Sequence, residues 1–162
     1  MKSRPLMLFV ACSLLPFLLA YAAVMSNWQP SDTTNKGELL SQEIVIPNWQ
    51  ANTNILWTIA LAAPDSCAEV CHLQHSRLNN MYQALGKKQS KVDLVVLGSV
   101  ENSEFNLMPE VSALKAGWLY LVDHHGLVVL AYPYEESDEA SRLTHKGLLK
   151  DLKKLLNYAR SS

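Results

Sequence analysis

From Pro5 to Met25 the chain is an unbroken apolar stretch, PLMLFVACSLLPFLLAYAAVM, and the next charged residue is Asp32. Its length, residues 5–25, matches the roughly 20 residues a helix needs to cross the hydrocarbon core of a membrane. Residues 27–45 are largely polar, with Pro30, Ser31, Asp32, Thr33, Thr34, Asn35 and Gly37, and read as a tether. Short apolar blocks then take over. Residues 54–61 (NILWTIAL) and 92–97 (VDLVVL) are apolar on both faces, the pattern of strands inside a sheet. Between them, after Pro64-Asp65-Ser66, the positions Val70, Leu73, Leu78, Met81 and Leu85 follow helical spacing, and Gly86 ends the run. Residues 99–116 read as loop, with a short helix after Pro109. Residues 118–122 and 127–131 form two further strands joined by Asp123-His124-His125-Gly126, a hairpin connection. Leu148, Leu149, Leu152, Leu155, Leu156 and Ala159 trace one face of a closing helix.

The order is strand, helix, strand, crossover, hairpin, helix. Alternation followed by a hairpin predicts an α/β fold, a mixed sheet of about four strands with flanking helices. That order matches the thioredoxin-like architecture, preceded here by one transmembrane helix. The expected organisation is an anchor at 1–26, a polar tether at 27–45 and a thioredoxin-like domain at 46–162.

Charge sets the orientation. Lys2 and Arg4 precede the apolar run, and the first basic residue beyond it is Lys36. The positive-inside rule then holds the N-terminus in the cytoplasm. The expected location is a single pass through the inner (cytoplasmic) membrane by residues 5–25, with the C-terminal domain in the periplasm or an equivalent exported compartment. Tyr21 and Trp28 stand where interfacial aromatics are found, and Pro16 is tolerated in a membrane helix. Two other readings share the same topology. Ala20-Tyr21-Ala22 has the small-x-small form of a signal-peptide cleavage site, and Val10-Ala11-Cys12 faintly resembles a lipoprotein site. All three export the C-terminal part of the chain. With 14 Lys and Arg against 15 Asp and Glu, the chain has no basic field to draw it to nucleic acid. Three Cys, six Gly and seven Pro exclude a disulfide-dense mini-protein and collagen-like repeats.

Candidate chemistry gathers at Cys67 and Cys71, just after the first buried strand and at the start of a helix. Ser66 and Glu69 have the spacing of a capping box, which would make Ser66 the N-cap and Cys67 the first helical residue. Unpaired N–H groups and the helix dipole stabilise a thiolate there. Cys71 lies one turn further on the same face, within reach of a disulfide if the first turn loosens. The pair can serve as a catalytic exchangeable dithiol, as two soft ligands for Cu(I), or as a static disulfide. Cys67-Ala68-Glu69-Val70-Cys71-His72 also has the form C-x-x-x-C-H, a variant of the haem c attachment pattern, with Met108 available as a distal ligand. Small c-type cytochromes are helical, whereas this motif follows a strand. Walker, dinucleotide-glycine, H-E-x-x-H and G-x-S-x-G motifs are absent from the sequence.

The single anchor, the aromatic-apolar strand from Trp57 to Leu61, the C-x-x-x-C pair and the late YLVDHHG (120–126) together resemble the Sco/SenC family. Members of that family are membrane-anchored thioredoxin-like proteins that load copper into cytochrome c oxidase. The resemblance implies a role in respiratory oxidase assembly, with oxidase subunits or other assembly factors as partners and copper as a cofactor at Cys67 and Cys71. The sequence departs from the family at two points. Counting back from Gly126, the position of the family's third copper ligand, a His, holds Lys115, and the family's C-P-x-x-C-P is here C-A-E-V-C-H. A substitute third ligand would come from His72, His75, His124 or His125. His75 can share the helical face of Cys71, whereas His72 points away from it. The facing of the His124-His125 turn is not set by sequence. His145 is expected at the start of the last helix, on the surface. Glu135, Glu136, Asp138 and Glu139 form a solvated acidic run or, alternatively, a docking site for a partner.

Overall fold

The computed structural model describes residues 4–25, 35–50, 52–100 and 103–158. The chain divides into two compact units, 1–34 and 35–162. The first holds one helix, α1 (Arg4–Met25), which takes up the apolar run with Pro16 inside it. Side chains of α1 are described for 7–22 and 25. Among the described residues, no helix is long and apolar enough to cross a membrane.

The second unit is a mixed α/β domain. Its elements are β1 (Glu38–Val45), β2 (Trp57–Ala63), α2 (Ala68–Gln83), β3 (Val92–Gly98), β4 (Asn106–Met108), β5 (Leu119–Asp123), β6 (Leu127–Tyr132) and α3 (Asp138–Tyr158). The sheet order is β1-β6-β5-β2-β3-β4, six strands rather than the four expected. β2 pairs in parallel with β3 and antiparallel with β5, so the α2 crossover and the β5–β6 hairpin meet on opposite sides of one strand.

Period-two alternation sorts the strand side chains into two layers. Ile59, Leu61, Val96, Leu119, Leu121 and Leu130 face one side, where Leu78 and Met81 of α2 and Leu148, Leu152 and Leu156 of α3 bury them. Ala60, Ala62, Val95, Leu97, Tyr120 and Val122 face the other side. That face is covered by Ile46, Leu114 and the partly buried Trp49, Met108, Val111 and Trp118, with no helix residue in its cluster.

Two strands were not expected. Residues 38–45, expected as part of the tether, form β1, an antiparallel edge strand on β6 with a register shift between Leu39 and Ile44. Its sequence ELLSQEIV is exposed over most of its length, so backbone pairing rather than burial makes it a strand. β4 is only three residues long, too short for any periodicity to register. The helix expected after Pro109 is replaced by turns. The last helix begins at Asp138, one turn and more before the expected His145. Ala159, placed on its apolar face by sequence, lies outside the described residues.

One buried carboxylate ties the start of this unit to its end. Asp151 of α3 is 1% exposed, and its Oδ2 accepts hydrogen bonds from the Lys36 N–H (2.6 Å), the Gly37 N–H (2.9 Å) and the Tyr132 hydroxyl (2.9 Å). Burial, followed by the nearby Asp151 carboxylate, pushes the Tyr132 phenol far above its ordinary pKa of 10, so Tyr132 remains a donor. Gly37 has no room for a side chain, since a Cβ there would sit 2.5 Å from the Tyr132 ring. Asp151→Ala removes the only acceptor shared by these three donors. We expect a loss on the order of 2–4 kcal/mol, read as a lower urea midpoint with an unchanged m-value.

Candidate functional site

β2 ends at Ala63, and the next residue, Pro64, turns the chain. The Pro64 carbonyl accepts the Cys67 N–H at 2.9 Å, closing a one-turn 3₁₀ segment over Asp65–Cys67. Helix α2 therefore starts one residue later than the capping-box spacing suggests. Cys67 is its N-cap, Ser66 belongs to the preceding turn, and no side chain caps the helix. The bond to the Pro64 carbonyl satisfies the Cys67 N–H, one of the N–H groups that a helix start leaves without an intrahelical partner. Gly98 has φ +122° and packs so closely on Ala63 that any Cβ would strike its carbonyl oxygen at 2.0 Å.

Cys67 and Cys71 are joined as a disulfide with Cα atoms 5.5 Å apart. The two sulfurs differ in setting. Cys67 is 8% exposed and Cys71 only 2%. The Cys71 sulfur lies 3.5 Å from the Ala62 carbonyl oxygen, which is placed to accept a Cys71 S–H once the disulfide opens. A hydrogen bond from the neutral thiol favours the protonated form. The geometry thus separates Cys71, its sulfur beside the Ala62 carbonyl, from a slightly less buried Cys67 at the helix terminus.

A third segment closes the site. The Gly117 N–H donates to the Ala62 carbonyl (2.8 Å), and the Ala62 N–H donates to the Trp118 carbonyl (3.1 Å). Gly117 has φ +75°, and a Cβ there would lie 2.7 Å from Val70 Cγ1 and 3.7 Å from the Cys67 sulfur. Only glycine lets the backbone pass so close to the thiol. Gln74 Nε2 donates to the Gly117 carbonyl at 3.1 Å, and Gln74 Oε1 accepts from His145 Nε2 at 3.1 Å. Gly117 and Gln74 were missed at the sequence level. The only available signal was spacing, since residues 67, 71 and 74 share one helical face.

The candidate third ligands do not gather here. His72 is exposed. His75 Nε2 is engaged with the Ser103 hydroxyl at 3.0 Å, and its ring packs on Phe105. The register of β2 on β5 settles the turn, for Trp57 pairs with Asp123 and Leu61 with Leu119. His124 and His125 therefore lie at the start of β2 while the cysteines come after its end, about 20 Å away at 3.3 Å per residue. Their rings pack against each other at a tilt of 42°, 3.8 Å between centroids. Lys115 is exposed, with its ammonium 4.2 Å from the Trp118 ring centroid. Among the described residues, no three His, Cys, Asp or Glu side chains converge to hold a metal ion. The donor set at Cys67 and Cys71 is two sulfurs without a third partner, which does not fit the three-ligand copper site that the resemblance implies. Met108 sits on β4 and packs against the helix-free face of the sheet.

A cavity of about 760 Å³ lies on that helix-free face, lined by Trp49, Thr58, Asp93, Asn106 and His124 among others, and contains no cysteine. Among its lining residues, Asp93 Oδ2 lies 3.5 Å from Asn106 Nδ2, and none carries a thiol. No family model, curated protein or solved structure matches the chain.

His145, expected on the surface, is half-buried between α3 and α2. Burial first, and then the Arg77 guanidinium, lower its pKa from the ordinary 6.5 to about 4. Burial, helped by the charge of His72 and opposed by Glu104, also lowers that of His75. Between pH 6.5 and about 4 the unfolded chain binds a proton that folded His145 refuses. This contribution to stability is complete above pH 6.5 and is lost as pH falls through that window. We expect the urea midpoint to drop between pH 7 and pH 4.5, and to drop less in His145→Gln. The His145 ring resonances should titrate near pH 4.

Proposed function

We propose that the protein is a membrane-tethered, thioredoxin-like thiol–disulfide exchange protein whose reactive groups are Cys67 and Cys71. The observation that carries this is the placement of the disulfide. It links the N-cap of α2 to its first turn, directly after a central strand and beside a side-chain-free backbone segment. A purely structural bridge across so short a loop would contribute about 2 kcal/mol of loop entropy, near the low end for disulfides. The thioredoxin-like reading is supported by the central order β6-β5-β2-β3, in which β5 alone runs antiparallel to β2, with a helix crossover on one side and a hairpin followed by a helix on the other.

In the reduced protein the Cys67 thiolate attacks one sulfur of a partner's disulfide. A Cys67–partner bond forms, the partner's S–S bond breaks, and the departing thiolate takes a proton from water. Cys71 then loses its proton and attacks the Cys67 sulfur. The intramolecular disulfide forms, and the second partner thiolate leaves and is protonated. The partner gains two electrons from the Cys67/Cys71 pair and two protons, one balanced by the proton Cys71 loses and one taken from water. The reverse sequence oxidises a partner dithiol.

The membrane tether is supported by the uncharged run from Pro5 to Ser31 and by the exposure of apolar side chains such as Phe9 and Phe17 on α1. The oxidase-assembly context is supported by the Sco/SenC resemblance at Cys67, Cys71 and residues 120–126. A reporter fused after Ser162 should be active only outside the cytoplasm, and activity of a cytoplasm-dependent reporter would overturn the topology.

For the chemistry, Cys71→Ser should accumulate a mixed disulfide through Cys67, whereas Cys67→Ser should trap little. In the reduced wild-type protein, iodoacetamide should modify Cys67 first and at lower pH than Cys71. Equal alkylation with no trapped partner in either variant would sink the exchange mechanism. Cu(I) titration of the reduced protein is the companion measurement. Stoichiometric binding that vanishes in Cys67→Ser, without exchange activity, would favour a copper chaperone instead.

A further inference from the structure

We propose that Gln74 is the positioning residue of the thiol site: its carboxamide fixes the Gly117 backbone beside the Cys67 sulfur and thereby sets how a peptide-sized partner reaches that sulfur. The proposal rests on the thiol-exchange reading and concerns the same site.

Gln74 is 1% exposed in the interior of α2, an expensive place for a primary amide unless both of its ends are used. Both are. Nε2 donates to the Gly117 carbonyl and Oε1 accepts from His145, each at 3.1 Å. The remaining anchors of the loop, the Gly117 N–H and the Trp118 carbonyl, go to Ala62 of β2. The loop is thus held from two directions, by the strand that precedes the cysteines and by the helix that carries them. Gln74 is three residues beyond Cys71 and seven beyond Cys67, so the helical face that presents the sulfurs also grips the loop.

The clearance explains why this grip has consequences. The position a Gly117 Cβ would take lies 2.7 Å from Val70 Cγ1, 3.7 Å from the Cys67 sulfur and 3.7 Å from the Tyr134 Cβ. Val70 leaves no room for a side chain at this point of the loop, and a shift of about 1 Å at a reacting centre changes rates strongly. Without the Gln74 donor, the Gly117 carbonyl has no partner among the described residues, and the loop is free to turn it toward water. A peptide disulfide, which must align its S–S axis with the Cys67 sulfur against this loop, loses its guide. A small dithiol such as dithiothreitol needs none.

The test uses the full chain in detergent, comparing wild type with Gln74→Leu and with the near-isosteric Gln74→Glu, which replaces the amide donor with a carboxylate. Two rates are measured on each: reduction of Cys67–Cys71 by dithiothreitol, and exchange of the reduced protein with a fluorescent peptide disulfide. Both variants should slow peptide exchange at least fivefold while reduction by dithiothreitol is unchanged or faster. Equal slowing of both reactions, or no change in either, overturns the proposal. If Gln74→Leu does not fold, Gln74→Glu decides alone, and if neither folds His145→Leu, which frees only the amide oxygen, must show the same selective loss of at least twofold. If the wild-type protein exchanges with no peptide disulfide, the thiol-exchange reading fails by itself. The role of Gln74 is then judged by alkylation of reduced Cys67. A bulky maleimide should gain at least threefold on iodoacetamide in Gln74→Glu, and an unchanged ratio rejects the positioning role.

Discussion

Strand β2 has one place it can occupy. Its residues Thr58 to Ala63 are buried on both faces, and its backbone is paired on one side with β3 and on the other with β5. A strand this apolar at an edge would leave a row of unpaired N–H and C=O groups beside exposed hydrophobic surface. Placing it centrally fixes the ends of both neighbours. The same constraint delivers Pro64, and three residues later Cys67, to one end of the sheet, and brings residues 117–118 to that end from β5. The site is a consequence of the sheet's register more than of any contact between its side chains.

The chemistry at that end is built largely from backbone. Ala62 bonds the Gly117–Trp118 segment through both its N–H and its carbonyl, and the same carbonyl faces the Cys71 sulfur. The carbonyl serves the loop and the thiol together because it has two lone pairs. Two sulfurs of equal intrinsic chemistry thereby receive different surroundings, Cys71 under a carbonyl and Cys67 at the helix terminus. Gln74 and His145 extend this arrangement into α3, whose own place is set by the Asp151 bonds to residues 36 and 37 and to Tyr132. Gln74 and Ser141 are buried and hydrogen-bonded, whereas Asp151 Oδ1 has no partner among the described residues.

The helix-free face of the sheet gives the domain its asymmetry. Where residues 99–116 were expected to include a short helix, the chain adds the three-residue β4 and a run of turns instead. Both helices of the domain then pack on the other face, with the cysteines, and the cavity near Trp49 and Asp93 opens on the helix-free side. The residues that a copper-site analogy would seek are consequently dispersed. The paired histidines sit at the far end of β5, and Lys115 lies over Trp118.

Much of the fold was legible from pattern alone. The two buried strands, the helix between them, the hairpin and the apolar face of the last helix each rest on a run long enough for its period to show, and Cys67 and Cys71 announced themselves by spacing after a strand. The sequence missed β1 and β4 because neither is buried enough, or long enough, to leave a hydrophobic signature; pairing with a neighbour makes them strands. It placed Cys67 one position too deep because Ser66 and Glu69 imitate a cap, while Ser66 belongs to the 3₁₀ turn closed by the Cys67 N–H on the Pro64 carbonyl. It read His145 as surface because nothing local shows that α2 will lie across it. Sequence thus determined which segments are apolar and where the two thiols stand along the chain. Tertiary structure alone decided what faces those thiols, because Gly117 and Gln74 are 43 residues apart and meet only through the register of the sheet.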